Sequence, residues 1–255
     1  MLWYKAWLDT RWRFLVAMAL LMISAAGVVF TYPQVTKLMT VEPAIDTSRE
    51  LGRRIKEGIE LSRTYRGYVW SQWFRQNLPQ MWTIVAVLVG SGSVLAQGVR
   101  GGTLFTLSMP ASRDRMLGVR AAAGLGELFA LAFIPPLLLP VLSPAVGATY
   151  GAGDALIHSA CLFAAGSVFF SVAFLLSTSF DDLWRPLLIT LAAAMVLAVC
   201  EQVFRHLAPY SVYTVMTGEV YFRTGRPPWL GLLATLAASG AMLYAAAVNL
   251  RRRDF

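Results

Sequence analysis

Residues 155–178 read ALIHSACLFAAGSVFFSVAFLLST, a run without one Asp, Glu, Lys or Arg. A helix that crosses a bilayer needs about 20 predominantly apolar residues. In lipid every backbone N–H and C=O must be satisfied within the segment, so such a run spans as a helix. Similar runs lie on either side. Phe14–Thr36 and Gln76–Val99 carry no formal charge, and Leu128–Gly153 carries none either. The pattern predicts an all-α polytopic membrane protein. It forms a single transmembrane domain over 1–255, with six spans at about 14–34, 78–98, 121–142, 155–178, 186–205 and 229–249.

Composition agrees. The chain is 57% hydrophobic and 14% charged, against about 25% charged residues in soluble domains. A soluble fold this apolar could not cover its surface with polar groups. The net charge of +8 is explained by basic residues flanking the spans. No basic helix or aromatic sheet motif accompanies it, so a nucleic-acid partner is not expected. Cys161 and Cys200 lie in apolar stretches without a CxxC or metal-ligand spacing.

The first residues, MLWYKAWLDTRWRF, interleave Trp3, Trp7 and Trp12 with Lys5, Arg11 and Arg13. Trp favours the headgroup level, and Lys and Arg favour anionic lipid. This predicts a short amphipathic interfacial helix ahead of the first span. Ser24-Ala25-Ala26 resembles a signal-peptide site, but the run Phe14–Phe30 is long for a signal core and further spans follow. The segment is therefore read as a retained span. Residues 36–75 form an external loop, within which Thr47–Leu61 is expected to form a charged helix. Pro135-Pro136 is expected to kink or break the third span.

Basic residues orient the chain. With the N-terminus in the cytoplasm, Lys5, Arg11, Arg13, Arg100, Arg113, Arg115, Arg120, Arg185, Arg251, Arg252 and Arg253 lie inside. The short outer connections hold Arg205, Arg223 and Arg226. The 36–75 loop, with eight Lys and Arg on the outside, opposes the rule without reversing it.

No G-x-x-x-x-G-K-[ST], G-x-S-x-G or H-E-x-x-H run is present, and the two histidines are too few for a histidine-rich metal site. No metal and no catalytic residues are expected. Ionisable residues inside spans mark candidate functional positions. Glu127 lies in the third span. Asp154 and His158 share a face at the start of the fourth, and Glu201 nears the outer end of the fifth with Arg205 four residues on. Glu127, His158 and Glu201 are the candidate intramembrane polar site, with a bundle-internal hydrogen bond the ordinary alternative for Glu127.

The segment 99–120 links the second and third spans. It is too polar to extend either, yet holds Leu104, Phe105, Leu107 and Met109. Ser112 can cap a helix whose first turn is Arg113, Asp114 and Arg115. Such an element is either an ordinary basic loop or a docking knob for a soluble partner.

Gly102-Thr103-Leu104 and Leu107-Ser108-Met109-Pro110-Ala111-Ser112-Arg113 resemble the G-T-L-x-x-L-L-S-x-P-x-S-R stretch of type-2 ABC transporter permeases. The ending Arg252-Arg253-Asp254-Phe255 is similar to theirs. The resemblance implies the membrane half of an ATP-driven exporter in a bacterial inner membrane, with both termini cytoplasmic. It implies separate cytosolic ATPase subunits that hold ATP and Mg, and a second permease copy or close homologue. It makes the segment containing Gly102, Thr103, Leu104, Leu107, Pro110, Ser112, Arg113, Asp114 and Arg115 the ATPase-coupling element. It also implies short re-entrant helices within Pro209–Pro228. The family's usual acidic residue before the Gly-Thr step is absent, since Gln97, Gly98, Val99 and Arg100 stand there. Small residues at Gly90, Gly92, Gly98, Ser167 and Ser171 predict close helix approach. The rival readings are a proton-coupled secondary transporter, a membrane-embedded enzyme and a non-transporting assembly subunit.

Overall fold

A computed structural model describes residues 2–38, 50–92, 113–180, 182–203 and 211–252. Every regular element among them is helical. In chain order these are α1 (Leu2–Leu38), α2 (Glu50–Ser62), α3 (Tyr65–Val69), a π-helical segment (Trp70–Asn77) and α4 (Leu78–Gly90). There follow α5 (Arg113–Leu142), a 3-10 turn (Ser143–Val146), α6 (Ala152–Ser177), α7 (Trp184–Val203), α8 (Val212–Met216), α9 (Glu219–Thr224) and α10 (Trp229–Arg251).

Among the described residues five stretches, Leu2–Lys37, Asp114–Val146, Ala152–Ser177, Trp184–Glu201 and Trp229–Arg251, are long and apolar enough to cross a membrane. The chain is thus a multi-pass membrane protein. Of the expected second span, 78–98, only α4 and its two following residues are described. α4 continues from α3 and the π-helical segment without a break, so helix already occupies much of the expected external loop. The charged helix expected within that loop is α2.

Other boundaries differ from expectation. The N-terminal amphipathic segment is not a separate interfacial helix, because α1 runs unbroken from Leu2 to Leu38. Nothing between Trp3 and Phe14 interrupts helix formation: no Gly or Pro lies there. Of the expected coupling segment 99–120, residues 99–112 lie outside the described residues, and residues 113–120 form the start of α5, which runs from Arg113 to Leu142. Pro135, Pro136 and Pro140 all lie within α5. Of the kink or break expected there, the break does not occur, since the helix continues to Leu142. Prolines are tolerated in membrane helices whose neighbours support the freed carbonyls. The helix finally stops in the 3-10 turn, with Gly147 left-handed at φ 71°.

α6 is the central helix. Of its most apolar window 72% is buried, against 28% for α1 and 22% each for α7 and α10. Its contacts with α4 are close because the facing residues are small. A Cβ on Gly90 would lie 2.6 Å from the Phe170 carbonyl oxygen, and one on Gly166 would lie 1.9 Å from Trp82 Nε1. Ser167 Oγ and Ser239 Oγ, 3.0 Å apart, join α6 to α10. The outward faces of α1, α7 and α10 are apolar, with Leu20, Ile23, Met195, Val199, Leu230 and Leu233 exposed. Such faces are stable in lipid or against another protein.

Candidate functional site

Polar groups gather at the two ends of the bundle. At the first end α1 is tied to both α4 and α5. The Thr10 hydroxyl has one hydrogen to give, which it donates to Glu127 Oε1 in α5, with the Ala6 carbonyl the alternative acceptor 3.1 Å away. Glu127 is 5% exposed, and among the described residues its Oε2 has no hydrogen-bond partner. Arg13, one turn along α1, donates from Nη1 to the Leu88 carbonyl at 2.8 Å. That carbonyl belongs to the last turn of α4, where orphaned acceptors and the helix dipole favour a cation. Gly92 lies beside both Arg13 and Arg120, since a Cβ there would be 3.2 Å and 3.6 Å from their guanidinium nitrogens.

The same end holds the starts and ends of other helices. Arg251 Nε donates to Asp114 Oδ1 at 2.9 Å, fixing the end of α10 to the start of α5. Asn249 Nδ2 donates to the hydroxyls of Thr178 and Ser179, each at 3.0 Å. α1 begins and α10 ends here, so Leu2 and Arg252 belong to one end of the bundle.

The opposite end is aromatic. Tyr32 packs against Tyr65 and Tyr68, and the Tyr65 hydroxyl lies 2.7 Å from Ser143 Oγ. Asp154, at the start of α6, accepts from Arg66 Nε at 3.0 Å and from the Tyr221 hydroxyl at 2.6 Å. Trp70 stacks on Phe222 at 4.2 Å and donates from Nε1 to the Thr217 carbonyl at 3.2 Å. Burial raises the pKa values of Tyr65, Tyr68 and Tyr150, because the phenolate would be charged in a poorly solvated place.

His158 sits within this aromatic layer, stacked on Phe74 at 4.5 Å and edge-on to Tyr221 at 5.3 Å. Gly218 makes room for it. That residue is left-handed at φ 64°, and a Cβ there would lie 2.5 Å from His158 Nδ1. Both demands favour glycine over any residue with a Cβ. Glu201, at the end of α7, accepts from Ser211 at 2.7 Å and Thr214 at 2.8 Å. It therefore braces the start of α8.

The candidate intramembrane site is thus not one constellation. Glu127 belongs to the first end, His158 to the aromatic layer and Glu201 to the α7–α8 junction. No hydrogen bond or ring contact among the described residues joins them. Comparison with protein-family models, curated proteins and solved structures finds no match. The reading of the site therefore rests on geometry.

Of the expected coupling element, Gly102, Thr103, Leu104, Leu107, Pro110 and Ser112 lie outside the described residues. Arg113, Asp114 and Arg115 form the first turn of α5, with Asp114 and Arg115 exposed and Asp114 paired to Arg251. Among the described residues no group of three His, Cys, Asp or Glu could hold a metal ion. Residue-by-residue reading missed Thr10 and the bracing role of Arg13. The only available signal was a polar residue and an arginine placed three apart in an otherwise membrane-seeking helix.

The pair α8 and α9 falls within the region expected to hold short helices before the last span. Ser211 caps α8 by accepting from the Tyr213 amide at 3.2 Å. Gly218 turns the chain into α9. These helices close the aromatic end over Trp70 and Asp154 through Thr217 and Tyr221.

Proposed function

We propose that the chain is the membrane-spanning permease subunit of an ATP-driven ABC exporter. It works with separate cytosolic ATPase subunits, which hold the ATP and Mg, and with a second permease copy. One observation carries this reading. The stretch that resembles the coupling element, within 99–120, lies between α4 and α5 in sequence, and both helices are bound to α1, α4 near its end by Arg13–Leu88 and α5 about four turns from its start by Thr10–Glu127. A partner pressing on the segment would move three helices as a unit rather than bend a loose loop. The first end is then cytoplasmic, with both termini there. The sixth span is 78–98, and the membrane is a bacterial inner membrane.

The exposed apolar faces of α1, α7 and α10 support a second permease copy as well as lipid. Six spans enclose little space, so a pathway between two copies is the natural arrangement. The basic residues of the first end, Arg115, Arg185 and Arg252 among them, support its cytoplasmic placement.

The test is enzymatic. Tagged full-length chain, purified gently from its native membrane, is expected to carry Mg-dependent ATPase activity. Scrambling Ser112-Arg113-Asp114-Arg115 is expected to remove that activity while leaving the bundle folded. A well-folded preparation devoid of ATPase activity would overturn the proposal.

A second reading has one observation in its favour. Buried Glu127, with one oxygen lacking a hydrogen-bond partner among the described residues, suits a proton-coupled secondary transporter. That reading requires transport to collapse with the proton gradient and to survive ATP depletion.

A further inference from the structure

We propose that the groove between α1 and α4 binds an acyl chain of an anionic phospholipid, taken from the leaflet at the end of the bundle that holds the termini. The proposal rests only on the membrane setting and is independent of the transport reading.

The groove has a volume of about 480 Å³ and is lined by residues from Trp12 to Leu21 on α1 and from Met81 to Val89 on α4. Its wall on α1 spans nine residue steps, or about 14 Å at the helical rise. That is close to half of a hydrocarbon core of about 30 Å. The groove is therefore as deep as one leaflet's acyl layer.

Its chemistry is one-sided. Arg13 is the only charged residue in the lining, and every other lining residue is apolar or Trp. Arg13 and Trp12 stand together at one extremity, at the depth where an amphipathic ring and a guanidinium meet headgroups. Arg11 lies over the Trp12 ring, 5.7 Å from its centroid. Residues 1–13 hold Lys5, Arg11 and Arg13 against Asp9 alone. The field at this extremity thus favours a phosphate. Arg13 uses Nη1 for the Leu88 carbonyl, and a guanidinium has five donors in a fork suited to phosphate oxygens. Asp9, Arg120 and Glu127, the other charged groups near Arg13, do not line the groove.

A flexible chain suits the groove better than a helix from a second copy. Close helix contact in membranes uses small residues. Ala17 is the only small side chain in the lining, which beyond Trp12 and Arg13 otherwise holds Val, Leu, Ile and Met. Val16 and Ile84 on its walls are 56% and 50% exposed.

The test uses full-length chain in mixed phosphatidylcholine and phosphatidylglycerol vesicles. Each lipid in turn carries a photoreactive diazirine in its acyl chain, and labelled residues are mapped by mass spectrometry. Phosphatidylglycerol is expected to label the segments around Val16 and Ile84 about fivefold more than phosphatidylcholine, the effect of one basic side chain near the surface. Val16→Trp, which fills the groove, is expected to lower labelling around Ile84 several-fold. Arg13→Gln is expected to remove most of the lipid preference. Arg13 also holds α4, so Arg11→Gln provides a second variant, expected to weaken the preference with the fold intact. Equal labelling by the two lipids in the unaltered chain would overturn the proposal. So would indifference to Val16→Trp, or a Val16→Cys variant that forms disulfide-linked dimers in the membrane.

Discussion

Thr10 and Glu127 are 117 residues apart in sequence and share one buried hydrogen bond between α1 and α5. The bond is asymmetric in its replaceability. A glutamine at 127 still offers a carbonyl oxygen to the Thr10 hydroxyl, whereas a valine at 10 removes the only hydroxyl bonded to the carboxylate among the described residues. Glu127→Gln is expected to lower stability by less than about 1 kcal/mol, in keeping with interhelical bonds in membranes. Thr10→Val is expected to cost about 1–3 kcal/mol, because it leaves a buried acceptor unpaired. Unfolding in mixed micelles measures both. A larger loss from Glu127→Gln than from Thr10→Val would contradict this ranking.

Gly166 faces Trp82 with no space between them. A methyl group would sit 1.9 Å from the indole nitrogen, and tryptophan cannot swing away because it is fully buried. Gly166→Ala is expected to cost about 3 kcal/mol, the upper part of the range for overpacking. Gly126→Ala is the control, since nothing lies within 4 Å of a Cβ there. It is expected to stabilise α5 by up to about 1 kcal/mol through helix propensity. Thermal unfolding of the two variants in one detergent separates packing from propensity.

Asp154 receives Arg66 and Tyr221 together, joining α3, α6 and α9. The Arg66 side chain is 47% exposed, so solvent screens the ion pair. A double-mutant cycle between Arg66→Met and Asp154→Asn is expected to return a coupling of about 1 kcal/mol or less, shrinking as salt is raised. A coupling that is unchanged in high salt would show that the pair is shielded from water.

Alkali should loosen the aromatic end. Tyr65, Tyr68 and Tyr150 have pKa values raised by burial above the ordinary phenol. The unfolded chain therefore loses these protons first. The stability they contribute is complete below about pH 10, and it is lost as pH climbs from there through their folded values. The melting temperature is expected to fall with rising pH only beyond that point. Tyr65→Phe, Tyr68→Phe and Tyr150→Phe combined are expected to flatten the fall. A profile identical in the triple variant would contradict the assignment.

Five of the six expected spans were legible in the sequence because charge-free runs such as 155–178 leave lipid as the only consistent solvent. The places where elements join were not. α1 and α5 each begin inside segments that look polar in one dimension, since Thr10, Arg13 and Arg120 find their partners on other helices. Charged residues next to a span therefore read as loop or interface when they are in fact helix. The aromatic layer was also hidden. Tyr32, Tyr65, Tyr150 and Tyr221 come from four separate parts of the chain, and no local pattern links them. Glu127 was singled out by the cost of burying a carboxylate, while Glu201 is hydrogen-bonded locally by Ser211 and Thr214 and His158 lies among the rings of the opposite end, with neither ring nitrogen hydrogen-bonded among the described residues.

The central claim is that the polar end of α1, α4 and α5 receives a nucleotide-hydrolysing partner. A photo-cross-linker replacing Arg115, at the exposed start of α5, tests it most directly in intact membranes. The account predicts a covalent adduct with an ATP-binding subunit, whose yield changes when ATP is added. An identical cross-linker replacing Arg223 at the opposite end should give no such adduct. Capture of the ATP-binding subunit from position 223 but not from 115 would contradict the account.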